Sequence, residues 1–181
     1  MKNKILKELL NTGFYLLIVL VITYLICTFV GQRTQVQQSS METTLSSGDQ
    51  LIIDKLTYRF SKPKRFDIII FPSKQEDGKY YIKRVIGMPG ETVQIDDNGS
   101  IYINGEVLEE SYGREIIKAQ NVGIAAQPIT LENDEYFVMG DNRNNSNDSR
   151  KESIGNVHRE DIVGKAWLRI WPFSKFGLLG P

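Results

Sequence analysis

From Leu9 to Gln32 the chain carries no charged side chain, and Thr12 to Val30 is almost wholly aliphatic or aromatic. As a helix rising about 1.5 Å per residue, such a run spans a hydrocarbon core of roughly 30 Å. A cleaved leader has a shorter apolar stretch followed by a small-residue site of the A-x-A type. "TFVGQRTQV" offers no such site, so residues 12–30 read as a retained transmembrane anchor. Lys2, Lys4 and Lys7 precede the run and only Arg33 follows it closely. That lysine excess predicts residues 1–11 in the cytoplasm and residues 31–181 outside the cell membrane, in a single-pass arrangement.

The remaining length suits one folded domain, and a hydrophobic content of 41% excludes a disordered chain. With 22 basic and 22 acidic residues there is no basic excess to bind nucleic acid. Cys27 is the single cysteine and can form no internal disulfide. Together with His158, the single histidine, it cannot fill a tetrahedral zinc shell, so neither metal nor cofactor is expected.

Beyond the anchor the pattern is short strands with turn punctuation. "DQLIIDKLTYRF" and "FDIIIFPS" are β-branched and aromatic runs interrupted by Pro63 and Pro72. A strand to Ile86 precedes a Gly-Met-Pro-Gly turn, and Asn98-Gly99 and Asn104-Gly105 are strong hairpin signals. "EYFVMG" and "DIVGKAWLRIWPF" supply later strands, the second closing the domain, while residues 111–130 show little periodicity and read as a loop-rich stretch. The fold class expected is mainly β: a transmembrane helix, then an antiparallel β-sheet domain of two lobes, the smaller a hairpin insertion over about 91–131.

Which groups could carry chemistry? In "VQQSSMETTL" a serine hydroxyl can be a linker group, a turn or cap group, or a nucleophile held close to the bilayer. His158, in "NVHRED", reads as a solvated turn residue and not as a base. Lys83 lies inside an apolar strand, where Tyr81, Lys83 and Val85 share one face by alternation and Ile82 and Ile86 the other. Burial would lower its pKa, and service as a base near neutrality needs a drop of about 3 units. The competing reading is an edge-strand lysine that opposes aggregation or snorkels to water. "DNRNNSNDSR" stands equally as a plain polar loop.

Taken together, the anchor, "SSMETTLSSGD", "YYIKRVIGMPGE" and "GDNRNNSNDSR", in that order, resemble the type I signal peptidases (peptidase family S26) in the single-anchor form of Gram-positive bacteria. The resemblance implies a membrane-bound serine endopeptidase with a Ser/Lys dyad that removes signal peptides from exported preproteins. It assigns Ser40 as nucleophile and Lys83 as general base. Ser146 would hydrogen-bond the lysine, Asp148 and Arg150 would form an ion pair near the dyad, and Asp67 and Arg84 would support it. Met41, Leu45, Tyr81 and Ile82 match pocket residues; with Leu51 and Ile53 they would wall shallow pockets that accept alanine. Trp167, Trp171, Phe173 and Phe176 suit a headgroup contact, with core packing the alternative for Trp167.

Two positions depart from the family pattern. Gln38 stands where the family has Gly or Ser and would contribute to the oxyanion hole, where loss of a donor costs about 3 to 4 kcal/mol. Thr43 replaces a proline and removes only a fixed φ. Two other functions fit these residues: an inactive, membrane-anchored substrate-binding relative, and a Ser/Lys protease with one dedicated substrate.

Overall fold

The computed structural model describes residues 2–25 and 31–180. Helix α1 (Lys2–Leu25) takes in the lysine-bearing N-terminus as well as most of the expected anchor. It begins ten residues before Thr12 because Leu, Lys and Glu dominate there and all propagate a helix well. Its segment Lys7–Tyr24 is long and apolar enough to cross a membrane, and the other described residues bury none of it. Residues 26–30, the rest of the expected anchor including Cys27, lie outside the described residues.

All strand pairings described are antiparallel. The strands are β1 (Gly31–Gln35), β2 (Gln50–Asp54), β3 (Ile68–Pro72), β4 (Tyr80–Gly87), β5 (Thr92–Ile95), β6 (Ile101–Ile103), β7 (Glu106–Val107), β8 (Ile129–Thr130), β9 (Glu135–Met139), β10 (Val157–His158), β11 (Gly164–Trp171) and β12 (Gly177–Leu178). The larger sheet runs β1-β2-β11-β3-β4-β9-β10, with β12 beside β11, and the smaller runs β7-β6-β5-β8. Chain order is thus interleaved: β11, near the C-terminus, lies between β2 and β3. A single short helix, α2 (Thr57–Phe60), follows β2. The mainly β class with a smaller hairpin lobe is the observed architecture.

The turn chemistry behaves as its residues dictate. Asn104 and Gly105, with φ of 53° and 84°, form the two-residue connection between β6 and β7 that needs left-handed backbone at both positions. Behind the small sheet lie Val93, Ile95, Ile101, Ile103, Ile117 and Val122, packed with Ile86 and Phe137 of the large sheet. Residues 111–130 hold two 3-10 turns, Ala119–Asn121 and Gly123–Ala126, and end in β8.

β4 pairs with β3 over residues 80–84, Ile69 opposite Lys83, and with β9 from Arg84 onward. Lys83 itself is only 1% exposed, and this burial removes the reading of it as a lysine that snorkels to water or guards an exposed edge. Both faces of β4 are covered: Tyr81 and Val85 enter one apolar cluster, Ile82 packs on a second and Ile86 enters a third.

Candidate active site

Ser40 sits in the loop that joins β1 to β2, and that loop is fixed from three directions. Its neck is closed by Val36 N–H to Asp49 O at 2.9 Å and Gly48 N–H to Val36 O at 2.8 Å. From β11, Arg169 Nη1 donates to Thr44 O at 3.0 Å and to Asp49 Oδ2 at 2.9 Å. From the turn after β9, Asn142 N–H donates to Ser40 O at 3.0 Å and Asn142 Nδ2 to Ser39 O at 3.1 Å. A serine in a polar loop is thereby held as firmly as a residue in a strand.

Lys83 Nζ donates to Ser40 Oγ at 2.8 Å and to Ile82 O at 3.1 Å. Only 1% of the lysine is exposed, and this burial lowers its pKa from 10.5 to about 8. Asp148 and Asp141 pull the value back up and Arg150 presses it down, all more weakly than desolvation. An amine so poorly solvated, aligned on a hydroxyl, can take that hydroxyl's proton near neutral pH.

The charges around the amine are themselves paired. Burial pushes Asp148 up, but Arg150, with Nε to Oδ1 and Nη2 to Oδ2 both at 2.8 Å, and the Gly140 N–H hold it below the usual carboxylate range. Arg84 grips Asp141 with Nε to Oδ1 at 2.9 Å and Nη2 to Oδ2 at 2.7 Å, both side chains fully buried. Thr44 Oγ1 donates to the same carboxylate at 2.5 Å, which ties this pair to the serine loop. Tyr112, from the aperiodic stretch, covers the other face of the Arg84 guanidinium at 3.7 Å.

Some expected residues stand elsewhere or do other work. Ser146 Oγ is buried and does not bond Lys83; its hydroxyl lies by Asp148 and helps to hold that carboxylate below its usual range. It packs instead against Gly140, where an added Cβ would lie 2.3 Å from Ser146 Oγ and 2.4 Å from Ser40 O. Gly140→Ala should therefore displace the serine loop and cut kcat by at least about tenfold, as misplacing reacting groups by a fraction of an ångström does; unchanged kinetics would show that this approach has slack.

Asp67 does not reach the lysine. It accepts from Lys165 Nζ at 2.6 Å and Tyr58 OH at 2.8 Å, joining β3, β11 and α2. Leu45, Leu51 and Ile53 line neither cleft at Ser40: they are buried in the core cluster with Val36 and Met41 of the serine loop, Ile68 and Ile70 of β3, Ala166 of β11 and Leu179. Trp167 is 46% exposed, which removes its core-packing alternative; Trp171, Phe173 and Phe176 are exposed with it.

Two clefts meet at Ser40, sharing Gln37 and Gln38. One, of 460 Å³, runs between β1 and the start of β4 and is lined by Met41, Ile70, Tyr81 and Ile82. The other, of 650 Å³, is lined by the polar turn after β9. Gln38 is exposed at their junction, and no described residue hydrogen-bonds its carboxamide; Thr43 faces solvent. Asn142, Asp141, Thr44, Arg169 and Tyr112 escape a sequence reading, because each earns its place through a partner remote in sequence, 40 or more residues away for all but Tyr112, whose partner is Arg84. No group of metal-ligating side chains occurs among the described residues.

A serine hydroxyl seated on a buried amine, at the junction of two clefts in an antiparallel β domain, is an arrangement found in hydrolases. The chain belongs to the signal peptidase family, peptidase S26, whose family model matches residues 9–171. A probable signal peptidase I-2 of Synechocystis is 40% identical over 84% of this chain and 68% of its own. Signal peptidase I P of Bacillus subtilis subsp. natto is 35% identical over 96% of both chains. A crystal structure of a signal peptidase I from Enterococcus faecalis V583, 39% identical, covers 58% of this chain and 97% of its own with a TM-score of 0.47.

Proposed function

We propose that this chain removes signal peptides from exported preproteins, with Ser40 as nucleophile and Lys83 as general base. The observation that carries the reading is the 2.8 Å contact between a serine hydroxyl and a lysine amine stripped of water. The neutral amine takes the Ser40 proton, and Oγ attacks the scissile carbonyl carbon. The resulting ammonium hands its proton to the departing amine, and a water activated by the same lysine then releases the acyl group. Gln38, exposed in the same cleft as Ser40 with a free amide donor, serves the developing oxyanion in this reading. A purely binding relative would have no use for a buried amine aimed at a hydroxyl.

Substrate entry follows from two open strand edges. Among the described strands β1 pairs with β2 alone, and residues 80–82 of β4 lie beyond the reach of β9. Both edges line the smaller cleft, so an extended segment can hydrogen-bond there while Met41, Tyr81 and Ile82 admit only small side chains. Helix α1 is the anchor in this reading, with the N-terminus cytoplasmic and the β domain outside. Trp171 and Phe173, their rings 4.9 Å apart, rest with Trp167 and Phe176 at the headgroups.

The test is processing of a preprotein by the detergent-solubilised full chain across a range of pH. Protonated Lys83 cannot accept a proton, so the active fraction rises as pH climbs through the depressed pKa of about 8. The expected kcat/KM falls about tenfold per pH unit well below that midpoint and levels above it. Cleavage that does not vary between pH 5 and pH 9 would exclude a lysine base, and a chain inert towards every preprotein would sink the function.

A further inference from the structure

Apart from Ser40 and Gln38, the residues lining the larger of the two clefts have no part in the chemistry above. The geometry points to this cleft as the seat of the first residues of the mature chain, those beyond the scissile bond, with Lys151 favouring acidic over basic side chains there. This rests on the proposed function and specifies its substrates further.

A peptide bond attacked by Ser40 must have chain on both sides. Small residues before the bond fit the cleft of Met41, Tyr81 and Ile82, so the residues after it leave through the other opening. That opening is built for a polar, variable strand. Gln37, Gln38 and Gln120 line it, all exposed, and no described residue hydrogen-bonds their carboxamides. Free amides can pair with any peptide backbone and so tolerate sequence.

Charge is where the cleft discriminates. Among the described residues no carboxylate lines it, whereas Arg143, Arg150 and Lys151 do. Arg143 is neutralised by Glu110, with Nη2 to Oε2 at 2.7 Å, and Arg150 by Asp148. Lys151 has no carboxylate partner among the described residues: it is exposed, and its Nζ donates to the neutral Asn147 Oδ1 at 2.6 Å. A passing Asp or Glu gains from this cation and a Lys or Arg is repelled. Because the charge is solvated, the effect is a few-fold and salt-sensitive.

The test uses the detergent-solubilised full chain and two peptides with one signal segment and cleavage site. They carry Asp or Lys at the second and third positions after the cut. At low salt kcat/KM should favour the Asp peptide by about 3- to 10-fold, and the ratio should shrink towards one near about 1 M salt. Lys151→Glu should reverse the preference. A parent ratio within about twofold of unity, or one that Lys151→Glu leaves in place, overturns the assignment while cleavage itself upholds the proposed function. If the parent cuts neither peptide, the function fails and this inference with it.

Discussion

Lys83→Met should abolish preprotein processing and at the same time raise the unfolding temperature. Methionine keeps most of the buried volume and removes the amine, so no group remains to take the Ser40 proton. General-base catalysis contributes about 10²- to 10⁴-fold, and serine enzymes lose more when members of one catalytic unit are deleted. A fall in kcat of at least about 10³-fold is expected, matched by Ser40→Ala, with the double variant no worse than either single one. The stability gain follows from the same burial. The folded pKa of about 8 lies below the unfolded 10.5, so the unfolded chain binds more protons between those values and stability rises with pH across that window. Below it the buried ammonium costs on the order of 3 kcal/mol, which the methionine variant escapes, less whatever the lost hydrogen bonds contributed. Processing by Lys83→Met within tenfold of the parent would dismiss the mechanism. A lower unfolding temperature at pH 7 would show that the amine is better solvated than its 1% exposure implies.

Asp141→Ala should be among the most damaging single changes for stability. It leaves the Arg84 guanidinium buried with its charge unmatched, and breaking a buried pair from one side costs about 3 to 5 kcal/mol. For a chain of this size that is a fall of roughly 6 to 20 °C in the unfolding midpoint. The exposed pair of Arg114 and Glu42, 3.0 Å apart, is the internal control. Glu42→Gln should cost less than about 1 kcal/mol, because solvent screens both partners. Calorimetry on the detergent-solubilised chain distinguishes the two, and equal small losses would mean that Arg84 finds another partner once Asp141 is gone.

Lys83 stands out in the sequence as a charge within an apolar strand, but alternation alone cannot say whether a strand is interior. That depends on β9, more than fifty residues further along. Ser40 is recognisable only through the order of four sequence blocks; locally it is one hydroxyl among several, and its distinction comes from Asn142 and Arg169, remote in sequence. Leu45 matches a family pocket position and Leu51 and Ile53 are apolar residues nearby, yet the serine loop and the facing residues of β3 bury all three in the core. Strand β1, "GQRTQ", gave no signal because an edge strand exposed to water needs no apolar face. The stretch 111–130 has no period because side chains fasten it: Lys118 N–H donates to Asn144 Oδ1 at 2.9 Å, and Asn144 Nδ2 to Ile116 O at 2.9 Å.

The amide of Asn142 that grips the Ser40 carbonyl makes the site a long-range construction. Ser40 and Lys83 both lie in the first half of the chain, but the backbone that fixes the Ser40 carbonyl comes from its last third. The 2.8 Å approach of the two groups therefore depends on the folding of the whole β domain and not on any local segment.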